Sequence, residues 1–148
     1  MNKLLVKDSN VSINNSYQNL EIKTSKLILN ISGSNTINDY DNNTDLDLKI
    51  IMEPHSKLLY NRKNANINNF TLDIEALSDS YIEFNYSLET SVASNIKLDA
   101  NISGNQNTSR INFHSVTKDE GLIKSIATSK VSENTKDNEI LENLRIIA

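Results

Sequence analysis

The chain has 148 residues, no cysteine, one proline and three glycines, and its 15 basic and 19 acidic residues give a formal charge of −4. The lack of cysteine excludes a disulfide framework, a thiolate zinc site, a cysteine-ligated iron–sulfur cluster and a cysteine nucleophile within this chain. The acidic balance argues against nucleic-acid binding, which needs a basic face, and the one basic cluster, Arg62 and Lys63, is too small to provide it.

The first eight residues contain an apolar run of only three residues, which is well short of the apolar region of a signal peptide. No stretch of the chain reaches membrane-spanning length. We therefore expect a cytoplasmic protein without membrane contact. We expect residues 1–148 to form one domain, with residues 1–30 as a less regular N-terminal cap and residues 137–148 as a C-terminal cap or interface.

From residue 27 onwards, apolar and polar residues alternate, while the 3.6-residue period of a helix is nearly absent. Alternation of this kind is typical of strands with one buried face. The alternating sets are Leu27, Leu29 and Ile31; Leu46, Leu48, Ile50 and Met52; Phe70, Leu72, Ile74 and Ala76; Ile82, Phe84, Tyr86 and Leu88; Ile96, Leu98, Ala100 and Ile102; and Ile111 and Phe113. The chain is therefore predicted to be mostly β.

The predicted strands recur at a regular interval. One set of strand centres, 24 to 26 residues apart, lies near Leu48, Leu72, Leu98 and Ile123. A second set, about half a period out of phase, lies near Leu59, Phe84 and Phe113. Two strands per coil, repeated along one axis, describe a right-handed parallel β-solenoid. In that fold the first set should stack on one sheet.

The turn residues favour the same fold. The tetrapeptide Asn-Ile-Ser-Gly ends a predicted strand at residues 30–33 and again at residues 101–104, where glycine suits a sharp corner. No Asn-Gly or Asp-Gly dipeptide marks a tight hairpin. The other corners must use Asn and Asp, which tolerate the left-handed conformation, and stacked Asn side chains can form hydrogen-bonded ladders. An antiparallel two-sheet sandwich is the alternative fold.

Residues that could carry chemistry are few. His55 lies in a polar turn, and His114 alternates with Ile111 and Phe113, so His114 should point outwards, towards solvent or a partner. In residues 39–47 every second position is Asp or Asn, as at the start of an EF-hand loop. However, Thr44 stands at the position where that loop needs Gly, and Ile50 at the position where it needs Glu. We therefore expect an acidic turn without calcium.

The carboxylates leave a second class of function open. Asp73 and Glu75 flank Ile74 on a predicted outward face, and Glu83 follows about half a period later. Paired carboxylates can support glycoside or uronate chemistry. A carbohydrate-active β-solenoid enzyme of the lyase or hydrolase type is therefore an alternative function, and a self-assembling structural solenoid is another.

The stretch from about residue 30 to residue 147 resembles the β-solenoid core of the SufB/SufD family, the scaffold proteins of iron–sulfur cluster assembly. The segments that match family strands and turns in order and spacing are residues 46–58 (LDLKIIMEPHSKL), 70–77, 96–104 and 110–116. Residues 131–138 (VSENTKDN) resemble a late family segment, with Glu133 at a position where the family pattern has His.

The resemblance implies a non-enzymatic scaffold subunit. Family members are several hundred residues long, and a flanking helical region docks the SufC ATPase. The SufB-type member supplies a cysteine to the nascent cluster, so this cysteine-free chain is closer to the SufD type. The implied partner is a SufB-like protein, a SufC-like ATPase or a second copy of the chain. We expect no cofactor to be bound by this chain alone, and no catalytic or metal-binding residue follows from the resemblance.

The end of the chain is the predicted partner-binding region. Ile140, Leu144 and Ile147 fall at helical spacing, so residues 137–147 could form a short helix, although the sequence leaves their state open. The last coil of a solenoid has unpaired backbone groups and needs a cap or a second subunit. The predicted partner-binding residues are Ile140, Leu144, Ile146, Ile147 and His114.

Overall fold

All the strand pairs that the structure describes are parallel. The structure is a computed structural model, and it describes residues 3–131 and the backbone of residues 139–147. The strands are β1 (Leu4–Val6), β2 (Asn10–Asn14), β3 (Tyr17–Ile22), β4 (Lys26–Ser32), β5 (Ser34–Tyr40), β6 (Leu46–Met52), β7 (Lys57–Ala65), β8 (Asn69–Ala76), β9 (Tyr81–Thr90), β10 (Ala93–Ile102), β11 (Thr108–Thr117), β12 (Leu122–Val131) and β13 (Glu139–Ile147). Among these residues no helix is long and apolar enough to cross a membrane.

Successive strands alternate between two sheets. The odd-numbered strands form a seven-stranded sheet in the order β1-β3-β5-β7-β9-β11-β13, and the even-numbered strands form a six-stranded sheet in the order β12-β10-β8-β6-β4-β2. Each strand therefore pairs with the strand two places along the chain, and the apolar side chains of both sheets face each other across one core. This is the predicted parallel β-solenoid, and the antiparallel sandwich is wrong.

The coils lengthen along the chain. Leu4 pairs with Leu20, Leu48 with Leu72, and Leu98 with Ala127, so the coil grows from 16 to 24 and then 29 residues. The predicted period of 24 to 26 residues describes only the middle coils. The strands lengthen too, from three residues in β1 to ten in β12, so the solenoid widens towards its C-terminal end.

The change in coil length sets the register of the core. One row of the six-stranded sheet consists of the buried residues Leu27, Leu48, Leu72 and Leu98. The next residue of this row is Ala127 rather than the predicted Ile123, which pairs with Ser94 four residues earlier. In the seven-stranded sheet one row consists of Tyr60, Phe84 and Ile111. The predicted centres Leu59 and Phe113 share that sheet but lie outside this row.

Aromatic rings fill the middle of the core. The rings of Tyr60 and Phe84 stack with centroids 4.6 Å apart, and those of Tyr86 and Phe113 stack at 5.1 Å. Phe70 meets Tyr86 edge to face, with centroids 4.9 Å apart. Such pairs add about 0.5–1.5 kcal/mol each beyond the apolar area that they bury. The Phe70–Tyr86 pair joins the two sheets, because Phe70 belongs to β8 and Tyr86 to β9.

The corners depend on left-handed residues, as predicted. Gly33 and Gly104, which end the two Asn-Ile-Ser-Gly repeats, have φ of 70° and 85°. At Gly104 a Cβ atom would lie 1.9 Å from the Ser78 hydroxyl oxygen, so this corner has no room for a side chain. The other described residues with positive φ are Asn15, Asp41, His55, Asn66, Asp79, Gln106 and Asp119.

Asparagine side chains also connect one corner to the next. The Asn15 side-chain oxygen accepts a hydrogen bond from the backbone N–H of Ser34 at 2.9 Å, and that of Asn66 accepts one from Ser91 at 2.8 Å. The amide of Asn107 does the same for Ser80 at 3.0 Å. These bonds pair corner N–H groups that the sheets leave without strand partners. The high Asn content therefore has a structural role here.

Residues 139–147, whose state the sequence leaves open, are a strand and do not form the possible short helix. These residues form β13, which pairs along its whole length with β11. The edge of β11 pairs the backbone groups on one side of the tail along its whole length, and this outweighs the helical spacing of three apolar residues. Residues 132–138, which contain Glu133 and all but the first residue of the family-like segment, lie outside the described residues.

Candidate functional site

The last coil leaves a long strand edge open. Among the described residues, β12 pairs only with β10 and β13 only with β11, so each has one edge without a neighbouring strand. The two strands are ten and nine residues long, whereas β1 and β2 at the other end have three and five. An open edge of this length is a template for binding another chain.

The inner face of β12 is open as well. Ala127 and Val131 pair in register with the buried residues Leu98 and Ile102, yet both are exposed, and Val131 is 50% accessible. On the outer face of the same strand, Ile126 is 63% exposed. In the six-stranded sheet the fully buried apolar residues therefore end at β10, only Ile123 of β12 packs partly against the core, and β12 presents apolar surface on both faces.

Three of the predicted partner-binding residues occupy inward register positions of β13. Ile140, Leu144 and Ile146 pair with Ser109, Phe113 and Ser115, whose side chains are buried. Ile147 pairs with Val116, which lies on the other face of β11. The structure thus places all four at the open end of the seven-stranded sheet, and their role in binding a partner stays a prediction.

His114 lies on the outer face of β11 and is exposed, as alternation predicts. It belongs to a row that crosses the seven-stranded sheet and consists of Tyr40, Lys63, Ser87, His114 and Arg145. The row holds no acidic residue, so one stripe of this acidic protein is locally basic.

An asparagine ladder runs beside this row. Its register positions are Asn19, Asn38, Asn61, Asn85, Asn112 and Asn143, one from each strand from β3 to β13 in the seven-stranded sheet. Each described amide donates to the side-chain oxygen of the preceding strand, with distances of 3.3, 3.0, 3.1 and 2.7 Å from Asn38 to Asn112. The sequence predicts such ladders in general terms, and the structure identifies their members.

We expect Asn85→Ala to lower the free energy of unfolding by about 1–2 kcal/mol. The substitution removes two hydrogen bonds, one to Asn61 and one from Asn112, and each half-buried bond contributes about 1 kcal/mol. Urea denaturation followed by circular dichroism measures the loss. Ser87→Ala, two residues further on the same exposed face, should change stability by less than about 0.5 kcal/mol. Equal losses for the two variants would show that the ladder contributes nothing.

A depression of about 580 Å³ lies over the ladder and the basic row. Its lining residues are Tyr40, Asp41, Asn61, Arg62, Lys63, Asn85, Tyr86, Ser87, Asn112 and His114. The depression is a polar surface site formed by four strands of one sheet, from β5 to β11. Among the residues whose side chains are described, none of β12 contributes to this lining.

A buried charge cluster lies beneath this sheet. The Asp39 carboxylate accepts hydrogen bonds from the Arg62 guanidinium and, at 2.7 Å, from the Tyr60 hydroxyl. Both charged side chains are fully buried. Arg62 also donates to the Asn42 carbonyl at 3.2 Å, and its guanidinium carbon lies 4.5 Å from the centre of the Phe70 ring.

The environment of the cluster raises the pKa of its arginine and of the two neighbouring tyrosines. Burial lowers the pKa of Arg62, but the Asp39 carboxylate outweighs this effect and raises that pKa above its ordinary value. Burial, followed by the nearby Asp39 charge, raises the pKa of Tyr60 well above its usual range. Burial also raises the pKa of Tyr86 to about 12. The cluster is therefore a fixed structural pair rather than a proton donor at neutral pH.

Arg62 and Lys63 are neighbours in the sequence, but the structure places them on opposite faces of β7. Arg62 follows Leu58 and Tyr60 at the two-residue period of β7, which places it on the inward face, while Lys63 points outwards. Asp39 follows Ile37 on the inward face of β5 in the same way. The alternation was present in the sequence, but charged residues at inward positions are unusual unless they are paired.

The acidic turn of residues 39–47 supports the neighbouring corner. The Asp45 carboxylate accepts backbone hydrogen bonds from Asn68 at 3.1 Å and Asn69 at 2.9 Å, and Asn43 accepts one from Ala65 at 2.8 Å. Burial raises the pKa of Asp45, but these bonds outweigh it, so the pKa lies below its ordinary value. The side-chain oxygens of Asn43 and Asp45 thus bind backbone N–H groups of the next coil.

The carboxylates considered for sugar chemistry do not converge. Asp73 and Glu75 lie on the outer face of the six-stranded sheet, where Glu75 pairs with Lys49 at 3.0 Å and Asp73 accepts a hydrogen bond from Asn101 at 2.9 Å. Glu83 belongs to the other sheet. The exposed His55 contacts Asp79 at 2.7 Å, across one corner. In the part of the chain that the structure describes, no three His, Cys, Asp or Glu residues form a group suited to a metal ion.

No family model matches the sequence, and comparisons with curated proteins and with solved structures find no match. The fold and the surfaces described above are therefore the basis for assigning a function. The SufB/SufD resemblance stays a prediction.

Proposed function

We propose that this chain is a non-enzymatic scaffold subunit, similar to a reduced SufD, that binds a protein partner through its last coil. The open edge and faces of β12 carry this proposal, because exposed apolar residues on a ten-residue edge strand favour burial against another chain. The partner that the resemblance implies is a SufB-like protein, a SufC-like ATPase or a second copy. Any iron–sulfur cluster is then completed by that partner, in the cytoplasm.

The use of the polar side chains favours a scaffold over an enzyme. Asparagine and aspartate side chains mostly bind the next coil, either as the ladder or at the corners. On the outer faces, Glu75 pairs with Lys49, Glu83 pairs with Arg110, and Asp73 accepts a hydrogen bond from the Asn101 amide. These bonds stabilise the solenoid itself, which is what a rigid docking surface requires.

The shape of the solenoid favours a distinct closed contact over a filament. Head-to-tail stacking would place the ten-residue edge of β12 or the nine-residue edge of β13 against β1 or β2, which have three and five residues. Many strand groups would stay unpaired at every such joint. A self-assembling solenoid is therefore the weaker alternative.

We expect the protein to form a complex with the SufB-like or SufC-like protein of its own host, or a dimer, and Ile126→Asp and Val131→Asp to weaken that assembly. Both residues are at least half exposed, so the substitutions should cost little folding stability, whereas a charge in a dry interface is costly. In β13, Leu144→Asp and Ile146→Asp should act in the same direction. Size-exclusion chromatography with light scattering, beside far-UV circular dichroism, measures assembly and β content together.

Leu5→Asp is the matched control. Leu5 is 47% exposed on β1, at the opposite end of the solenoid, so its substitution should leave assembly intact. A wild-type chain that stays monomeric and binds neither protein would overturn the proposal. So would assembly that survives all four substitutions at the C-terminal end.

A further inference from the structure

The depression over the asparagine ladder offers a binding site that the scaffold proposal does not use. Its floor consists of side-chain amides on neighbouring strands, and its rim carries Lys63, Ser87 and His114 from the basic row. At one end lies Tyr40, whose side chain is 47% exposed. The site is therefore rich in hydrogen-bonding groups and has one aromatic ring.

The ladder presents donors and acceptors together. Asn61 and Asn85 each donate one amide hydrogen to the preceding strand and accept one bond from the next. A primary amide has two N–H donors and an oxygen with two lone pairs, so each has a further donor and a further acceptor. A donor beside an acceptor complements the two adjacent hydroxyl groups of a sugar ring. Parallel strands repeat this pattern about every 4.8 Å along the sheet.

The basic row adds a preference for negative charge. Lys63 and His114 lie two strands apart, or about 10 Å, with the small Ser87 between them. Neither forms an ion pair with the described residues, and Arg145 holds the next register position of the row. A carboxylate over Ser87 would meet both basic side chains and the serine hydroxyl. The acidic Asp41 lies beside Tyr40, and its backbone N–H donates to the Lys63 carbonyl at 2.9 Å, so it adjoins the Lys63 end of the row, two strands from His114.

Tyr40 supplies the remaining element of a sugar site. Its ring is half exposed at the end of β5, next to Lys63 in the row. An aromatic side chain with an apolar body and a polar tip can cover the apolar face of a pyranose ring while its hydroxyl stays in water. An acidic peptide has no such ring faces, and the chain's net charge of −4 disfavours a nucleic acid.

We propose that this depression binds an acidic oligosaccharide, whose sugar rings follow the asparagine ladder across the strands and whose carboxylate lies between Lys63 and His114. Binding, not cleavage, is proposed. The site lies on the outer face of the seven-stranded sheet, so an oligosaccharide there leaves the open edge of β12 free.

Isothermal titration calorimetry with trigalacturonate and trimannuronate tests this proposal. The wild-type chain should bind at least one of them, and Lys63→Ala and Tyr40→Ala should each weaken binding by about tenfold or more. The neutral maltotriose should bind about tenfold more weakly than the acidic sugar. Lys97→Ala is the matched control, because Lys97 is an exposed lysine on the outer face of the other sheet and should not contribute. In amide NMR spectra, the side chains of Asn61 and Asn85 should shift on binding.

Three results would overturn the proposal. The first is the absence of binding by both acidic sugars, and the second is unchanged binding by Lys63→Ala and Tyr40→Ala. The third is equally tight binding of a tri-aspartate peptide, which would assign the site to acidic peptides. None of these results depends on the β12 edge, so the scaffold proposal stands or falls separately.

Discussion

Arg62→Met should lower the free energy of unfolding by about 3–5 kcal/mol, because it leaves the Asp39 carboxylate buried without its charged partner. The Tyr60 hydroxyl and the Asn42 amide would still donate to that carboxylate, but neither neutralises its charge. Met has a similar length and keeps contact with the Phe70 ring, so the loss reports mainly on the charge. Urea denaturation followed by circular dichroism and by tyrosine fluorescence measures it.

Two further variants separate the charge from its surroundings. Lys63→Met alters the neighbouring basic residue on the opposite face of β7, and it should change stability by less than about 0.5 kcal/mol. The double variant Asp39→Asn, Arg62→Met removes both charges and should be more stable than Arg62→Met alone. If the single variant loses less than about 1 kcal/mol, or if the two substitutions add, the pair is not buried as described.

The buried Asp39–Arg62 pair constrains the register in which β5 and β7 pair. Asp39 on β5 and Arg62 on β7 lie on adjacent strands of one sheet, where Asp39 pairs with Arg62 in register. A slip of one residue would turn each charged side chain to the opposite face and separate the pair. The aliphatic rows on either side tolerate exchange of Leu and Ile far better. We therefore expect this pair to fix the register of the middle coils, at little net gain in stability.

The sequence predicts this fold well because period-two alternation is a local signal. Each of the six predicted strands from Leu27 to Phe113 is a strand, and the inward residues of each are buried. The parallel pairing is also predictable, because two strands per coil repeat at a long interval. The lengths of the coils are predicted less well. The corners differ by a few residues from coil to coil, and the apolar–polar alternation within the strands does not report the length of a corner. For this reason Ile123 lies on the predicted sheet but four residues away from the row of Leu98.

The features that the sequence did not predict depend on contacts across coils. In the sequence, Arg62 stands within a polar stretch, which gives no sign that it is buried. Its charge can be buried because Asp39 lies opposite it on the neighbouring strand. The asparagine ladder needs amides that are 19 to 27 residues apart to align, and composition alone gives no such alignment. The C-terminal tail is a strand because β11 offers an edge, which no helical spacing reveals. His114 was placed correctly, since its outward position follows from Ile111 and Phe113 alone.

The second large effect concerns the aliphatic row of the six-stranded sheet. Leu72→Ala should lower the free energy of unfolding by about 2–5 kcal/mol, because Leu72 is fully buried between Leu48 and Leu98 and the rigid sheet cannot collapse into the cavity. Leu72 lies on β8, near the middle of the six-stranded sheet. Each coil of a solenoid is stabilised mainly by contacts with the neighbouring coils. A defect here should therefore weaken the coils on both sides together. Thermal and urea denaturation of the same samples measure the loss and its cooperativity.

Asp73→Ala is the matched control, one residue along β8 on the opposite face. Asp73 accepts one hydrogen bond from Asn101, at 2.9 Å on a half-exposed surface, so its loss should cost about 1 kcal/mol or less. The contrast between the two variants tests the register itself, because a slip of one residue would bury Asp73 and expose Leu72. If Asp73→Ala costs as much as Leu72→Ala, the row of leucines does not form the core. If Leu72→Ala broadens the transition into two steps, the coils on either side unfold separately and the solenoid is not one cooperative unit.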